Sequence, residues 1–305
     1  MWRKGLQKII RCPSCKGVLE QADTTLACQD CGASYLGSER QLDLRLPHPQ
    51  AASIPVILGR PRPYIPLQPI PINPILGRER SMPFPGLGCG NGLTPTLYSW
   101  FPQLGPDKVM LDLGCGDRRF EPACQVTGAG YIGLDVDGDM PDVLGQGEAL
   151  PFADESFDFV LAIAVLPHAQ HPTLVAQEIS RVLRPGSLFI GSAQFLEPCM
   201  MASRHHVTAL GLIDWLDDAG LEILHLEPNR EWDGLMALAR MGYLPDAISP
   251  LFKPIQKLHQ WLWRIRPLKP FGRFSRLIDG KIAYGEDAPA AFTGGFRFIA
   301  RKPTS

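Results

Sequence analysis

The sequence predicts an α/β chain, a parallel sheet covered by helices on both faces and preceded by a small cysteine-rich module. Two observations carry this expectation. From Lys108 onward, short apolar strands alternate with helical and glycine-containing segments, the pattern of a parallel sheet. Ahead of that region, half of the eight cysteines fall at Cys12, Cys15, Cys28 and Cys31. With 305 residues, 45% of them hydrophobic, the chain is long enough for two domains, one of which can bury a full core. Composition also excludes other classes. A net charge of −1 and a pI near 6.7 leave no global basic field, which argues against a protein whose main task is to coat nucleic acid. The sequence has no run of roughly 18 apolar residues that would span a bilayer. Met1-Trp2-Arg3-Lys4 lacks the apolar core of a signal peptide, so a cytoplasmic protein is expected.

The first module is assigned to residues 1–46. Cys12-Pro13-Ser14-Cys15 and Cys28-Gln29-Asp30-Cys31 are two C-x-x-C knuckles separated by twelve residues. Each knuckle aims both sulfurs at one point, and two of them face to face make the four-thiolate cage that zinc prefers. Clustered cysteines in a reducing compartment favour metal over disulfides, and no βαβ setting for a redox dithiol surrounds them. The stretch between, Lys16 to Leu19 and Thr24 to Ala27, reads as a short hairpin, which makes the module a zinc ribbon. Four sulfur ligands leave no open position for a catalytic water, so the metal is expected to be structural.

Residues 47–106 are assigned as a linker. Fourteen of the 30 prolines lie there, and the X-Pro steps from Ile54-Pro55 to Pro74 predict a stiff, extended strap. Leu87 to Gly92 imitates a nucleotide-binding glycine loop, but no strand precedes it and Pro95 follows where a helix should begin.

The second module, residues 107–305, supplies the ordered elements. Lys108 to Leu113 is a first strand, followed at once by Gly114-Cys115-Gly116-Asp117, and glycines in that position let the backbone approach a ligand. Tyr131 to Leu134 is a second strand ending at Asp135, where a carboxylate can accept hydrogen bonds from ribose hydroxyls. Gly145 to Phe152 leads into the buried strand Phe159 to Ala164. A helix is expected from Pro172 to Leu183, with Leu174, Val175, Ile179, Val182 and Leu183 on one face. Arg184-Pro185-Gly186 stops it, and Ser187 to Ser192 is the next strand. The end of a helix at Asp214 to Leu221, the strand Glu222 to Leu226 and a closing strand Phe296 to Arg301 complete the series.

Between the last two strands, residues 229–290 form an insertion far longer than a turn requires. From Ser249 to Lys281 it holds eight Lys or Arg against a single acid, Asp279, interleaved with Trp, Phe and Leu. A helical lid with a solvated basic face leads; contact with an anionic membrane surface and a grip on RNA are the other readings.

These motifs carry two resemblances. CPSCKGVLEQADTTLACQDCGASYLGSERQLDL resembles the zinc ribbon of the small activator protein of tRNA methyltransferases. VMLDLGCGD, YIGLD, GEALPFADESFDFV and EISRVLRPGSLFI resemble the successive motifs of class I S-adenosylmethionine-dependent methyltransferases, in the broad subgroup of the ubiquinone/menaquinone enzymes. The second resemblance implies a Rossmann-like, seven-stranded fold and S-adenosyl-L-methionine as cofactor. It implies that Asp112, Gly114, Cys115 and Gly116 surround the methionine part and ribose. Asp135 falls on the ribose hydroxyls, Val136 beside the adenine, and Gln146, Gly147 and Glu148 near the adenine edge. In the family an aspartate commonly stands where this chain has Gln146, whose amide oxygen is expected to accept from the adenine amino group instead.

Methyl transfer needs alignment of nucleophile, methyl and sulfur, and a base only where the acceptor must lose a proton. His168, just beyond the strand Phe159 to Ala164, is the base candidate, ahead of His171, His205 and His206. There is no [Asp/Asn]-Pro-Pro-aromatic motif after that strand, which disfavours amino-group methylation of DNA bases. Pro198-Cys199 only faintly resembles the nucleophilic cysteine of RNA cytosine-5 methyltransferases. A small-molecule or lipid-linked acceptor leads. An RNA base acceptor is the alternative, and a non-catalytic cofactor-binding interaction module is the third reading.

Overall fold

A computed structural model describes residues 6–22, 24–38, 40–46, 77–79, 84–85, 93–196, 203–229 and 293–304, with single positions at 234, 237, 254 and 258. Most of the proline strap, the glycine-rich Leu87–Gly92 segment, Cys199 and nearly all of the basic insertion lie outside the described residues.

Seven strands form the central part of the sheet, in the order β7-β6-β5-β8-β9-β11-β10. They are β5 (Val109–Leu113), β6 (Gly130–Asp135), β7 (Val143–Leu144), β8 (Phe157–Ile163), β9 (Leu183–Gln194), β10 (Glu222–Pro228) and β11 (Gly295–Arg301). Pairing from β7 to β9 is parallel, whereas β11 runs antiparallel to both β9 and β10. Every residue of β8 is buried, as a strand covered on both faces requires. On one face Leu111, Leu113, Val160 and Phe189 pack with α4 (Pro172–Val182) and α5 (Ala209–Asp218); on the other Met110, Phe159, Leu161 and Ile190 pack with α2 (Pro95–Tyr98) and α3 (Glu121–Cys124). This is the expected Rossmann-like α/β architecture.

Among the described residues the expected strands and helices are present, with one main difference at α4. The helix ends at Val182, and β9 begins at Leu183 instead of after Pro185-Gly186. The strand continues because the chain terminus pairs with it. Lys302 N–H donates to Ser187 O, Gly186 N–H to Lys302 O, and the Lys302 ammonium to Leu183 O. A register shift between Phe157 and Phe159 absorbs the irregularity, with Gly186 at a φ of +80°.

The N-terminal module contributes a short helix, α1 (Leu6–Ile9), and four strands, β1 (Leu19–Ala22), β2 (Thr25–Cys28), β3 (Ser34–Gly37) and β4 (Leu42–Asp43). The first three and β4 run as an antiparallel meander. β4 then pairs in parallel with β7, Leu42 opposite Val143 and Asp43 opposite Leu144, so module and core share one sheet of 11 strands. The hydrophobic core is shared as well. Leu6, Ile10, Leu26, Leu42 and Leu44 pack in the same cluster as Leu134, Val143, Leu150 and Phe152.

Candidate functional site

The C-terminal ends of β5, β6 and β8 gather most of the residues singled out by sequence. Strand order changes direction on either side of β5, which is where open α/β sheets leave a crevice for ligands. Gly114 has a φ of +72°, and a Cβ there would meet Val165 Cγ2 at 2.4 Å. Gly116, at +52°, has nothing among the described residues within 4 Å of the position its Cβ would take. The loop is therefore tight on its inner side and open where a ligand would approach. Asp135 braces it, accepting from Gly116 N–H at 2.8 Å through Oδ2 and from Val136 N–H at 2.7 Å through Oδ1. Val136 follows as an exposed apolar side chain, suited to lie against a flat ring.

Asp112 is fully buried beneath this loop. Tyr131 donates its hydroxyl to Asp112 Oδ2 at 2.6 Å, while Oδ1 has no hydrogen-bond partner among the described residues. Burial dominates and pushes the carboxyl up to about 7, although Tyr131 and the nearby Arg118 act in the opposite direction. Burial also raises the Tyr131 hydroxyl and the Cys115 thiol. Cys115 packs against Gly133, whose absent Cβ would lie 2.8 Å from the sulfur, so Cys115 is a packing residue of the loop. Arg118, with a φ of +60°, sets its guanidinium over the Tyr131 ring and bonds Asp142 at 2.9 Å and Glu121. Sequence reasoning missed Tyr131, Arg118 and Asp142, because their partners lie far apart along the chain. The orphaned Asp112 oxygen, the open glycine turn and the half-exposed Asp135 carboxylate suit a ligand bearing an ammonium group and a ribose.

In the segment that the sequence assigns to the adenine edge, Gln146 Oε1 accepts from Leu46 N–H at 3.0 Å, which ties the side chain to the N-terminal module; an amide oxygen has a second lone pair, so both it and the NH₂ can still serve a ligand. Gly147 is buried, and a Cβ there would press within 3.2 Å of Val175. Glu148 Oε1 accepts from the N–H groups of Gln170 and His171, at 2.7 and 3.2 Å. Its carboxylate thus satisfies orphan donors at the start of α4.

His168 ends a short 3₁₀ turn, Leu166–His168, beyond β8 and is half-buried. The residue at the strand end, Ala164, has a φ of +62°, a strained conformation for a non-glycine residue and one without a signal in the sequence. Pro167 O accepts from the N–H groups of Arg204 and His205, which brings residues 203–208 over the same end of the sheet. His205 approaches Gln170 O at 3.3 Å and stands edge-on to Trp215, whereas His206 and His171 are exposed.

The four module cysteines converge. Cys12 and Cys31 sulfurs are 3.7 Å apart, Cys15 and Cys28 sulfurs 3.4 Å, and all four lie within 4.8 Å of one another. A tetrahedron with zinc–sulfur bonds of about 2.3 Å has sulfurs roughly 3.8 Å apart. The donor set and spacing therefore fit a zinc ion. The knuckles repeat one backbone pattern: Cys12 O accepts from Lys16 N–H and Cys28 O from Gly32 N–H, with Lys16 and Gly32 at φ values of +64° and +71°. Burial opposes the Cys12 thiolate, but hydrogen bonds from Tyr35 and backbone N–H groups bring its pKa down to about 7. Cys15, despite the favourable Gly17 N–H, is pushed up to about 12 by desolvation and the adjacent sulfurs.

Residues 111–191 match the family model described as a methyltransferase domain. An uncharacterised methyltransferase of Mycobacterium marinum is 35% identical over 115 residues, covering 32% of this chain and 45% of that protein. Another, from Mycobacterium tuberculosis, is 34% identical over 96 residues, covering 27% and 38%. The chain thus spans less than half the length of these curated relatives. Among solved structures, a geranyl diphosphate C-methyltransferase from Streptomyces coelicolor aligns with a TM-score of 0.43 at 14% identity, over 68% of this chain and 76% of that one. An S-adenosylmethionine-dependent methyltransferase from Mesorhizobium loti aligns with a TM-score of 0.41 at 17% identity, over 68% and 96%. Residues 111–191 are thus similar to a methyltransferase domain, and they lie on a Rossmann-like sheet.

Proposed function

We propose that the protein transfers a methyl group from S-adenosyl-L-methionine to a small-molecule or lipid-linked acceptor, with zinc held by Cys12, Cys15, Cys28 and Cys31. The observation that carries this reading is the juxtaposition at one sheet end of the open Gly114–Gly116 turn, the braced Asp135 and the buried, half-partnered Asp112. When bound, the cofactor supplies an electrophilic methyl on a sulfonium, so the protein's share is placement and exclusion of water. Asp135 would take the ribose hydroxyls, Val136 and the Gln146 amide the adenine, and Asp112 the cationic methionine end. His168 lies on the acceptor side and would take a proton from a hydroxyl or amine acceptor. Among the described residues no helix is long and apolar enough to cross a membrane, so a lipid-linked acceptor would be met at a surface.

Labelled methyl from the cofactor, supplied with fractionated extract, should appear in a small-molecule or lipid fraction. Label confined to RNA would establish the RNA acceptor, one of the readings open to the basic segment Ser249–Lys281, and no label in any fraction would remove the catalytic reading. Asp135→Ala should weaken binding of S-adenosylhomocysteine at least about tenfold by calorimetry, through loss of charge-assisted hydrogen bonds; unchanged affinity would overturn the cofactor placement.

A further inference from the structure

The four-cysteine module grips the adenine-edge segment from two sides. Along one side, Leu42 N–H donates to Asp142 O at 3.0 Å, Leu44 N–H to Leu144 O at 2.8 Å and Leu46 N–H to Gln146 Oε1 at 3.0 Å. On the other, Arg11 N–H donates to Pro151 O at 2.9 Å, Ala153 N–H to Ile9 O at 2.6 Å and the Lys16 ammonium to Leu150 O at 3.1 Å. Residues 142–153, which include Gln146, Gly147 and Glu148, therefore run through a clamp whose jaws both belong to the module. Gln41 extends the grip to the loop after Asp135, its side-chain NH₂ donating to Gly138 O and Pro141 O, each at 3.0 Å.

The second jaw depends on the knuckle geometry. Lys16 follows Cys15 directly, in the left-handed conformation that closes the turn on Cys12 O. That turn directs its ammonium to Leu150 O and, at 2.6 Å, to Glu178 of α4. Arg11 immediately precedes Cys12. A module this small cannot hold such a turn by burial alone, so a metal that fixes the four sulfurs also fixes the jaw.

We propose that the metal-loaded module is a working part of the cofactor site: by holding residues 142–153 it sets the affinity for S-adenosyl-L-methionine. The inference rests on the cofactor placement given above. It makes Leu46, Lys16 and Gln41 positioning residues that act through the segment they hold. Linkage requires the effect to be mutual, so a bound cofactor must raise metal affinity by the same factor by which metal raises cofactor affinity.

The test uses the full chain and S-adenosylhomocysteine as probe. Calorimetry compares the zinc-loaded protein, the chelator-stripped protein and a zinc-loaded Lys16→Met/Gln41→Ala double variant. About a tenfold or larger loss of affinity is expected on stripping, and a loss of several-fold in the double variant at unchanged zinc content, within the usual range of coupling between sites. Zinc transfer to a chromogenic chelator at equilibrium should be suppressed by saturating S-adenosylhomocysteine by the factor measured on stripping. Equal affinity in all three forms, or zinc transfer indifferent to the probe, would overturn the proposal. If the stripped protein does not fold, the double variant and the chelator competition decide. Failure of the zinc-loaded protein itself to bind the probe would instead remove the cofactor placement on which the proposal stands.

Discussion

The N-terminal module and the central sheet solve the same stability problem by different means. In the central sheet, β8 is buried on both faces and β5 nearly so, and Phe157, Phe159 and Phe189 are fully enclosed. In the module, β2 and β3 alternate buried and accessible positions, and Val18 and Leu36 remain exposed. Burial of apolar area at about 25 cal/mol per Å² can sustain the first region; the second is too thin for that and relies on its sulfurs and on docking. The four-cysteine cluster with its proposed metal and the deep core of the central strands are thus neighbours in one sheet, joined through shared packing, and each should respond most strongly to its own perturbation.

Removing the metal should give the largest effect. Amide exchange in Leu26–Cys28 is expected to lose its protection, with loosening that spreads to Val143–Leu144, while Val109–Leu113 stays protected. Uniform loss of protection would mean that the two regions fold as one unit. Phe157→Ala is the converse probe. Phe157 is fully buried and edge-on to Phe152 at 4.9 Å, so its truncation should cost about 3–5 kcal/mol in denaturant unfolding and leave zinc content unchanged. A simultaneous loss of zinc would break the distinction. A third effect, comparable in size but confined to a pH window, concerns the buried carboxyl. Native Asp112 keeps its proton up to about 7, whereas the unfolded chain releases it near 3.8, so between those values the native state binds more protons. Stability from this group is therefore present at low pH and falls as pH rises through the window, by on the order of a few kcal/mol. Asp112→Asn should flatten that slope in pH-dependent melting; an unchanged slope would show that another group carries it.

Much of this arrangement is legible in the residues themselves. The C-x-x-C pairs announce a metal-ligand cluster because the spacing is local and the chemistry of thiolates is narrow. Gly114, Gly116 and Asp135 are legible for a related reason: a close ligand approach and a carboxylate at a strand end each demand particular residue types. Tyr131 is not legible, since a tyrosine in a strand reads as packing until Asp112 is found against its hydroxyl. Gln146 is only half legible. Its side chain reads as a substitute for an adenine-binding carboxylate, and nothing local announces that its oxygen also accepts from Leu46 N–H, one hundred residues earlier.

By itself, the sequence determined the order of the strands along the chain, the four-cysteine cluster and the glycine turn with its carboxylate, because each rests on short-range geometry and side-chain chemistry. Only the tertiary structure decided that β4 joins β7 in parallel, that residues 142–153 lie between two parts of the module, and that burial raises the Asp112 carboxyl. The physical reason is the same in each case. Backbone N–H and C=O groups are common to nearly every residue and leave no mark on composition, and desolvation depends on everything that packs around a group.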